Sequence, residues 1–524
     1  IIEDIKQKQE TNRVLANFGL KIKPFKGLTL DYTLGVDQYS QKGETFIPPF
    51  AYNVSDGFFG GGAALDPTRN GYASAGNFNF FQINNEVNAT YQTKITTDLA
   101  STTQIGYSVQ YEKSTYALLQ GRGLAPFVET VNGASTLLQG VDDRGEISTS
   151  GYYIQQNFNY KSIVNLTGAL RVDGSSVFGE DQRDQKYFKA SGSYVISEHE
   201  FWKNMNMSKV WKKEKIRVAY GQSGNLTGIG AYSRFNSYSS NSFVSRTSLI
   251  SSGTLANTNV KPERQQELEF GIDLGFFKDR LTLQTNIYSK KVTDLLINRF
   301  IAPTNGFSSL LDNFGSLENR GFEIVLTGKP IKNKNFDWTV TGIYNHNRNK
   351  AVRIGQALTL LSTNSGAPIA IIEGQPIGVF YGAFFALDAN GGLVKNGSGF
   401  PQGERGIQNS ALVFTPQRDP VTGLPITTSP LVRKIIGDPN PDYTASLVNE
   451  ITYKKLSLRV QLDAVQGLEV FNADWRTRQG VGNGKEAEKE QTGVYPRGYI
   501  NSFYGTVEEW RIDDGSFVKL REVS

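Results

Sequence analysis

Between Glu267 and Phe276 the chain reads Glu-Leu-Glu-Phe-Gly-Ile-Asp-Leu-Gly-Phe, and every second residue is large and apolar. Side chains on a strand alternate faces, so Leu268, Phe270, Ile272, Leu274 and Phe276 share one side. Glu267, Glu269 and Asp273 share the other. A greasy face backed by a charged face fits a barrel wall with lipid outside and water inside. The pattern recurs at Ile105, Tyr107, Val109 and Tyr111, at Tyr152, Ile154, Phe158 and Tyr160, at Phe322, Ile324 and Leu326, and at Leu456, Leu458, Val460 and Leu462. A soluble β-sandwich shows the same alternation, with its apolar faces meeting in a core. Aromatic residues at strand ends (Tyr39, Tyr111, Tyr160, Phe276 and Tyr453) favour the membrane barrel, because they read as interfacial girdles.

No apolar run reaches the ~18 residues of a spanning helix, so a membrane crossing here is made by strands. The 54 Gly, 24 Tyr and 32 Phe suit a β-rich fold. The absence of Cys excludes disulfides, thiolate metal sites and Cys nucleophiles. With 55 basic against 50 acidic residues, the charge gives no reason to expect nucleic acid as a partner. Residues 1–11 are polar and charged and carry no signal peptide, and the run 516–524 opens like a strand and stops. The sequence is therefore expected to be incomplete at both ends.

Alternation and turn signals predict about fifteen strands. They lie near 14–23, 28–39, 78–93, 99–112, 149–160, 163–177, 187–197, 215–222, 265–276, 281–290, 318–328, 337–349, 444–453, 456–466 and 515–524. The connectors alternate between tight turns and long Gly/Asn/Ser-rich stretches at 40–77, 113–148, 223–264, 291–317, 350–443 and 467–514. Outer-membrane barrels have short periplasmic turns and long extracellular loops in this order. Two connectors break the rule, a short 178–186 and a long 198–214.

A series of segments stands out: Arg171-Val-Asp173-Gly174-Ser-Ser-Val-Phe178, Arg217-Val-Ala-Tyr-Gly221-Gln-Ser-Gly224-Asn225, and Asn259-Val-Lys-Pro262-Glu263 followed by Glu267–Asp273. Asn313-Phe-Gly, Asn319-Arg-Gly-Phe-Glu323, Glu373–Gly378 through Tyr381-Gly382, Ile436-Gly437-Asp438-Pro439-Asn-Pro441 and Asp513–Leu520 continue it. In sequence and in order these segments resemble the SusC/RagA family of TonB-dependent outer-membrane transporters. The resemblance implies an all-β, transmembrane antiparallel β-barrel. This chain would supply about fifteen of the ~22 strands of such transporters. Residues 1–524 would then be barrel throughout, with the plug, a TonB-contacting segment and the last strands outside the chain. It further implies TonB-energised nutrient uptake across the outer membrane, with loops extracellular and a SusD-like surface lipoprotein as partner. The substrate class, oligosaccharide or peptide, is not readable. The family often carries Asp/Asn-Gly-Asp-Gly before the Ile436 segment. Here only Asp388-Ala-Asn-Gly-Gly392 and Gly403-Glu-Arg-Gly406 stand there, without the full cation-site pattern.

Nothing in the residues points to covalent chemistry, a cofactor or a metal. His199 and His346 have no metal-like or triad-like spacing to other ligands. Glu267/Glu269 and Asp513/Asp514 could suggest a glycosidase pair, but on barrel strands they read as lumenal charges. Gly60-Gly-Gly62 lacks the Gly-Lys-Ser/Thr of a phosphate loop. Arg171 and Asp173 share a strand face and read as a lumenal pair. The binding candidates are loop aromatics in three groups: Tyr52, Phe58 and Phe59; Tyr232, Phe235, Tyr238 and Phe243; Tyr381, Phe384 and Phe385. Such residues stack on sugar rings or clasp peptides, and equally pack loop against loop. A passive porin or adhesin barrel and a soluble carbohydrate-active enzyme are the alternative functions.

Overall fold

The computed structural model describes residues 4–49, 70–204, 210–226, 228–244, 246–355, 358–361 and 368–524. Fifteen strands form one antiparallel meander in which each pairs with its sequence neighbours. They are β1 (Lys6–Ile22), β2 (Leu28–Ile47), β3 (Tyr72–Lys94), β4 (Leu99–Leu124), β5 (Val141–Tyr160), β6 (Val164–Ser175), β7 (Gln185–Val195) and β8 (Trp211–Asn225). After these come β9 (Glu263–Phe276), β10 (Leu281–Thr293), β11 (Ser316–Lys332), β12 (Phe336–Arg353), β13 (Tyr443–Tyr453), β14 (Leu456–Gln466) and β15 (Phe517–Val523). β1 and β15 are the two edges and do not pair with each other. Each strand takes in one of the predicted segments. At one end of the sheet the connections are tight. The β5–β6 hairpin turns through Lys161 and Ser162 at φ 52° and 58°, with the Asn159 carboxamide accepting the Ser162 N–H at 3.0 Å. The connection 196–210 is the long exception at this end.

The two faces differ in curvature as well as chemistry. Along β5 the apolar set Tyr152, Ile154, Phe158 and Tyr160 is exposed, and the residues between are less so. The apolar face is therefore convex and the polar face concave. In register the convex side chains run from strand to strand: Ile105, Ile154, Leu170, Phe188 on β4–β7, and Val218, Phe270, Ile287, Phe322 on β8–β11. Leu447, Leu462 and Leu520 continue the belt to β15. A sandwich would turn this face inward, and in water such a belt would forgo about 25 cal/mol per Å² of burial. The curvature runs the other way, as a membrane barrel requires. Tyr160 and Tyr453 mark the tight-turn edge of the belt, with Phe336 beside Tyr453 (6.4 Å) and Trp211 beside Phe276 (5.5 Å). Tyr39 departs from its predicted girdle role. It shares the concave face with Asp37, and its ring meets Phe80 at 5.1 Å and Phe78 at 5.6 Å.

Strands β2 to β5 are 20, 23, 26 and 20 residues long. A bilayer crossing needs only ~9–11, so these strands stand well beyond the belt at their long-connector ends. There the convex face turns ionic, with Lys113 and Glu146 paired at 2.9 Å two residues past Tyr111 and Ser148. The buried apolar residues lie mostly in the connectors, which build a crown on the wall. Val177, Phe178, Val260 and Leu311 form one core. Ala370, Ile372, Val379 and Tyr381 form a second, within a four-stranded sheet of Leu358–Leu360, Ile369–Ile372, Val379–Ala383 and Arg433–Gly437. Tyr499, Ile500, Phe503 and Val507 form a third, beyond the short helices Ala473–Gly480 and Lys485–Gln491.

Candidate binding site: the rim and the inner wall

The segments singled out by resemblance lie mainly where strands pass into the crown, and they act as ties. Glu263 opens β9 behind buried Pro262. Its carboxylate accepts the Leu296 N–H at 2.9 Å and the Asn225 carboxamide at 3.3 Å. Asn313 accepts the Lys261 N–H at 2.8 Å and donates to the carbonyls of Lys261 (2.7 Å) and Asp294 (2.9 Å). These bonds join the connectors 226–262 and 294–315 to the ends of β8 and β9. At Gly224 a Cβ would strike the Tyr187 hydroxyl, and at Gly174 it would press on the Asp184 carboxylate at 3.2 Å. Gly221 faces open space. Gly437 is closed in by Glu469, Ile512 and Phe380. The next N–H, of Asp438, donates to Glu469 at 2.6 Å, and the Asp438 carboxylate accepts from the Asn440 backbone and side chain at 2.9 and 2.7 Å, while Pro439 lies beside Gly378. Asn349 of β12 then bonds Asn440 at 2.6 Å, fixing the 354–442 connector to the wall.

Below the rim, four arginines on the concave face each pair with an aspartate. Arg171 donates to Asp173 at 2.6 Å, the pairing expected from their shared face. Gly151, opposite, leaves the room, since a Cβ there would collide with the Asp173 carboxylate. Arg217 reaches Asp273 and Asn286 at 2.8 and 2.9 Å. Arg521 meets Asp463 at 2.8 Å, and Arg13 grips Asp37 through two bonds of 2.8 and 2.6 Å. His346 Nδ1 sits 2.6 Å from the Asp442 carbonyl, and His199 packs between Tyr194 and Phe201. Asp388 closes a plain turn by accepting the Asn390 and Gly392 N–H groups. Among the described residues no three acids or histidines gather as a metal site.

The aromatic candidates divide. Tyr381 and Phe384 are 3% and 6% exposed and pack inside the crown, Phe384 against Phe414 (5.2 Å) with the Lys434 ammonium over its ring. Phe385 is half-buried against Phe503 (5.2 Å). This group packs loop against loop within the crown. Tyr232, Phe235, Tyr238 and Phe243 are exposed. Tyr232 and Phe235 border a cavity of about 600 Å³ together with Ser237, Ser252, Thr254 and Asn298. Tyr238 and Phe243 end one strand of a separate hairpin. Tyr52, Phe58 and Phe59 lie outside the described residues.

A further aromatic set escapes the sequence reading. On the concave face of the upper β2–β4 wall, Tyr39, Phe78, Phe80 and Tyr116 lie in adjoining register positions. Gln7, Gln9 and Gln41 stand beside them around a cavity of about 480 Å³ that Phe78 and Tyr116 also line. The signal was present. Phe78 and Phe80 alternate in phase with each other but out of phase with Phe81 and Ile83 of the convex face.

A family model described as "TonB dependent receptor-like, beta-barrel" matches residues 4–504. The chain belongs to the TonB-dependent receptor β-barrel family. The family is one of outer-membrane receptors and transporters, not enzymes. TonB-dependent receptor P3 of Formosa agariphila is 26% identical over 475 residues, which cover 83% of this chain and 46% of that receptor. TonB-dependent receptor SusC of Bacteroides thetaiotaomicron is 28% identical over 210 residues, 39% of this chain and 21% of SusC. The RagAB peptide transporter superposes with a TM-score of 0.76 at 19% identity, over 100% of this chain and 56% of that one, a likeness of fold. The SusC/RagA resemblance read from the motifs is thus met by both kinds of relative. The chain spans less than half the length of the curated receptors it matches.

Proposed function

We propose that this chain is the wall and crown of a SusC-type importer that takes up oligosaccharide or peptide through a plugged outer-membrane barrel, energised by TonB. The observation that carries the reading is the combination of an uncovered apolar convex belt with a polar concave wall bearing Arg–Asp pairs beneath a folded crown. The belt suits lipid, the inner wall suits a hydrated polar passage, and the crown, on the extracellular side in this reading, suits selection and docking. The two open strand edges, β1 and β15, are where further strands would close the wall around a plug. The exposed aromatics of 226–262 and the broad 354–442 connector offer the surface for a SusD-like lipoprotein lid.

The test is fractionation of the full-length protein from its native cell. It is expected in the outer membrane, with heat-modifiable gel mobility, a co-purifying lipoprotein, and nutrient uptake that stops when TonB is removed. Recovery as a soluble periplasmic monomer would sink the proposal. Uptake that persists without TonB would instead indicate a passive pore.

A further inference from the structure

The two ends of the wall differ sharply in charge. The seven connections at the tight-turn end carry ten basic and four acidic residues, whereas the seven at the crown end carry 17 basic and 23 acidic. The basic excess is densest on three neighbouring hairpins, β9–β10, β11–β12 and β13–β14. Their turn regions, 277–280, 329–335 and 454–455, hold seven Lys and Arg against one Asp. Backbone bonds set the three side by side. The Lys329 N–H donates to the Arg280 carbonyl at 2.7 Å, and the Lys454 N–H to the Asn335 carbonyl at 2.8 Å.

Two features say what this patch fits. Elsewhere at the same end cations are taken up within the protein, as where Lys161 meets Asp98 at 3.2 Å. Lys334, Lys454 and Lys455 are exposed, and among the described residues none of them meets a carboxylate within 4 Å. Second, apolar side chains stand among the cations. Phe277, Ile331 and Leu456 are 54%, 43% and 73% exposed at the tips, beside the Phe336–Tyr453 ring pair, and the Lys454 ammonium lies 5.3 Å from the Tyr453 ring. Tyr453 marks the edge of the apolar belt, so these tips lie at the depth of the lipid headgroups. A headgroup layer receives both kinds of side chain at once: the apolar tip enters the acyl boundary, and the ammonium reaches a phosphate on its long stem.

We propose that the three hairpin turns form a binding site for an anionic phospholipid in the leaflet at the tight-turn end of the barrel. Its phosphate is held by Lys334, Lys454 and Lys455, and its acyl chains run along the convex face past Tyr453 and Leu458. A zwitterionic lipid brings its own cation to the phosphate and gains less from the lysines. The inference rests on the reading of the wall as membrane-embedded, and adds the lipid that one end of it selects.

The test uses the full-length protein, with any co-purifying partner, in a neutral detergent. It is titrated with dioctanoyl phosphatidylglycerol and, separately, dioctanoyl phosphatidylcholine, while native mass spectrometry counts the lipids bound. Phosphatidylglycerol should bind the more tightly. A variant carrying Lys334→Gln, Lys454→Gln and Lys455→Gln should lose about tenfold or more of its affinity for phosphatidylglycerol and keep that for phosphatidylcholine. Lys42→Gln with Lys113→Gln, at the crown end of the wall, should change neither. Unchanged heat-modifiable mobility certifies that the variants are folded. Equal affinity for the two lipids, undiminished phosphatidylglycerol binding in the folded triple variant, an equal loss in the crown-end pair, or displacement by glycerol phosphate without chains would each overturn the site. A full-length protein recovered as a soluble monomer without detergent rejects the membrane barrel itself. A folded, detergent-bound barrel with no preference for phosphatidylglycerol rejects this site alone.

Discussion

Gly221 and Gly224 stand on the same strand in the same family segment, yet only one is held to glycine by its surroundings. Gly224→Ala drives a methyl into the Tyr187 ring, itself overlaid by Arg264 at 5.5 Å. Overpacking of this kind costs about 1–3 kcal/mol, so urea midpoints of the refolded barrel should fall. Gly221→Ala should be neutral or slightly stabilising, because its Cβ meets open space and the unfolded chain loses freedom. Equal losses in the two variants would show that the steric account is mistaken. A second single-residue case concerns pH. Asp419, in the crown, accepts the Val421 and Thr422 N–H groups at 3.0 and 2.7 Å and the Thr422 hydroxyl at 2.9 Å. The bonds from Thr422, the stronger influence, and from Val421 hold its carboxyl below the usual range. A depressed folded pKa means the turn's stabilisation is present above the ordinary value of about 3.9 and is lost as pH falls through the lowered one. Hydrogen exchange at Val421 and Thr422, corrected for intrinsic rate, should stay slow at neutral pH and accelerate only in strong acid. Asp419→Ala should exchange fast at every pH.

At the scale of the strand, the face assignment of β9 can be tested directly. Phe270 and Ile272 belong to the convex belt, Glu269 and Asp273 to the concave wall. A cation on the lipid face at the bilayer midplane costs about 2–4 kcal/mol. Ile272→Arg should therefore impair assembly, while Glu269→Gln, which loosens only a 3.7 Å contact with Arg217, should leave the barrel folded. Cys placed at 270 or 272 should react with a lipid-phase reagent in native membranes and Cys at 269 should not; the opposite result reverses the faces. The strands were legible because lipid on one side and water on the other impose a period of two, and every predicted segment from 14–23 to 515–524 became a strand. The upper ends of β2–β5 were not legible, since beyond the belt both faces are wet and the apolar signal stops. Short crown strands such as Val379–Ala383 were missed for another reason. Their sheet partner Arg433–Gly437 lies far along the chain, and with both faces covered they show no alternation. Of the Phe78–Tyr116 strip, only Tyr116 lies in a segment predicted as a connector; Phe78 and Phe80 lie in a predicted strand, but on its polar face, out of phase with the apolar belt, whereas the loop aromatics were visible but not their division into core and surface.

At the scale of the whole molecule, the apolar groups answer to two different surroundings: the belt to lipid, the crown cores to one another. The two should fail independently. Phe503 contacts Phe385, Tyr499 and Trp510 at 5.2–5.6 Å in the third core. Phe503→Ala should cost about 3–5 kcal/mol locally and open 467–516 to protease, while the heat-modifiable mobility of the wall stays unchanged. Loss of both together would show a single cooperative unit. The convex face also carries its own depth gauge. On β4 the side chains pass from Ile105, Tyr107 and Tyr111 to Lys113 within one face, and on β5 from Ile154 and Tyr152 to Glu146. Two residues of strand, tilted, amount to about 5 Å of height. A downward slip of that size would sink the Lys113–Glu146 pair into hydrocarbon, and an upward one would lift Tyr160 and Tyr453 off their interface. The protein thus floats at a fixed draught, its waterline written between Tyr111 and Lys113.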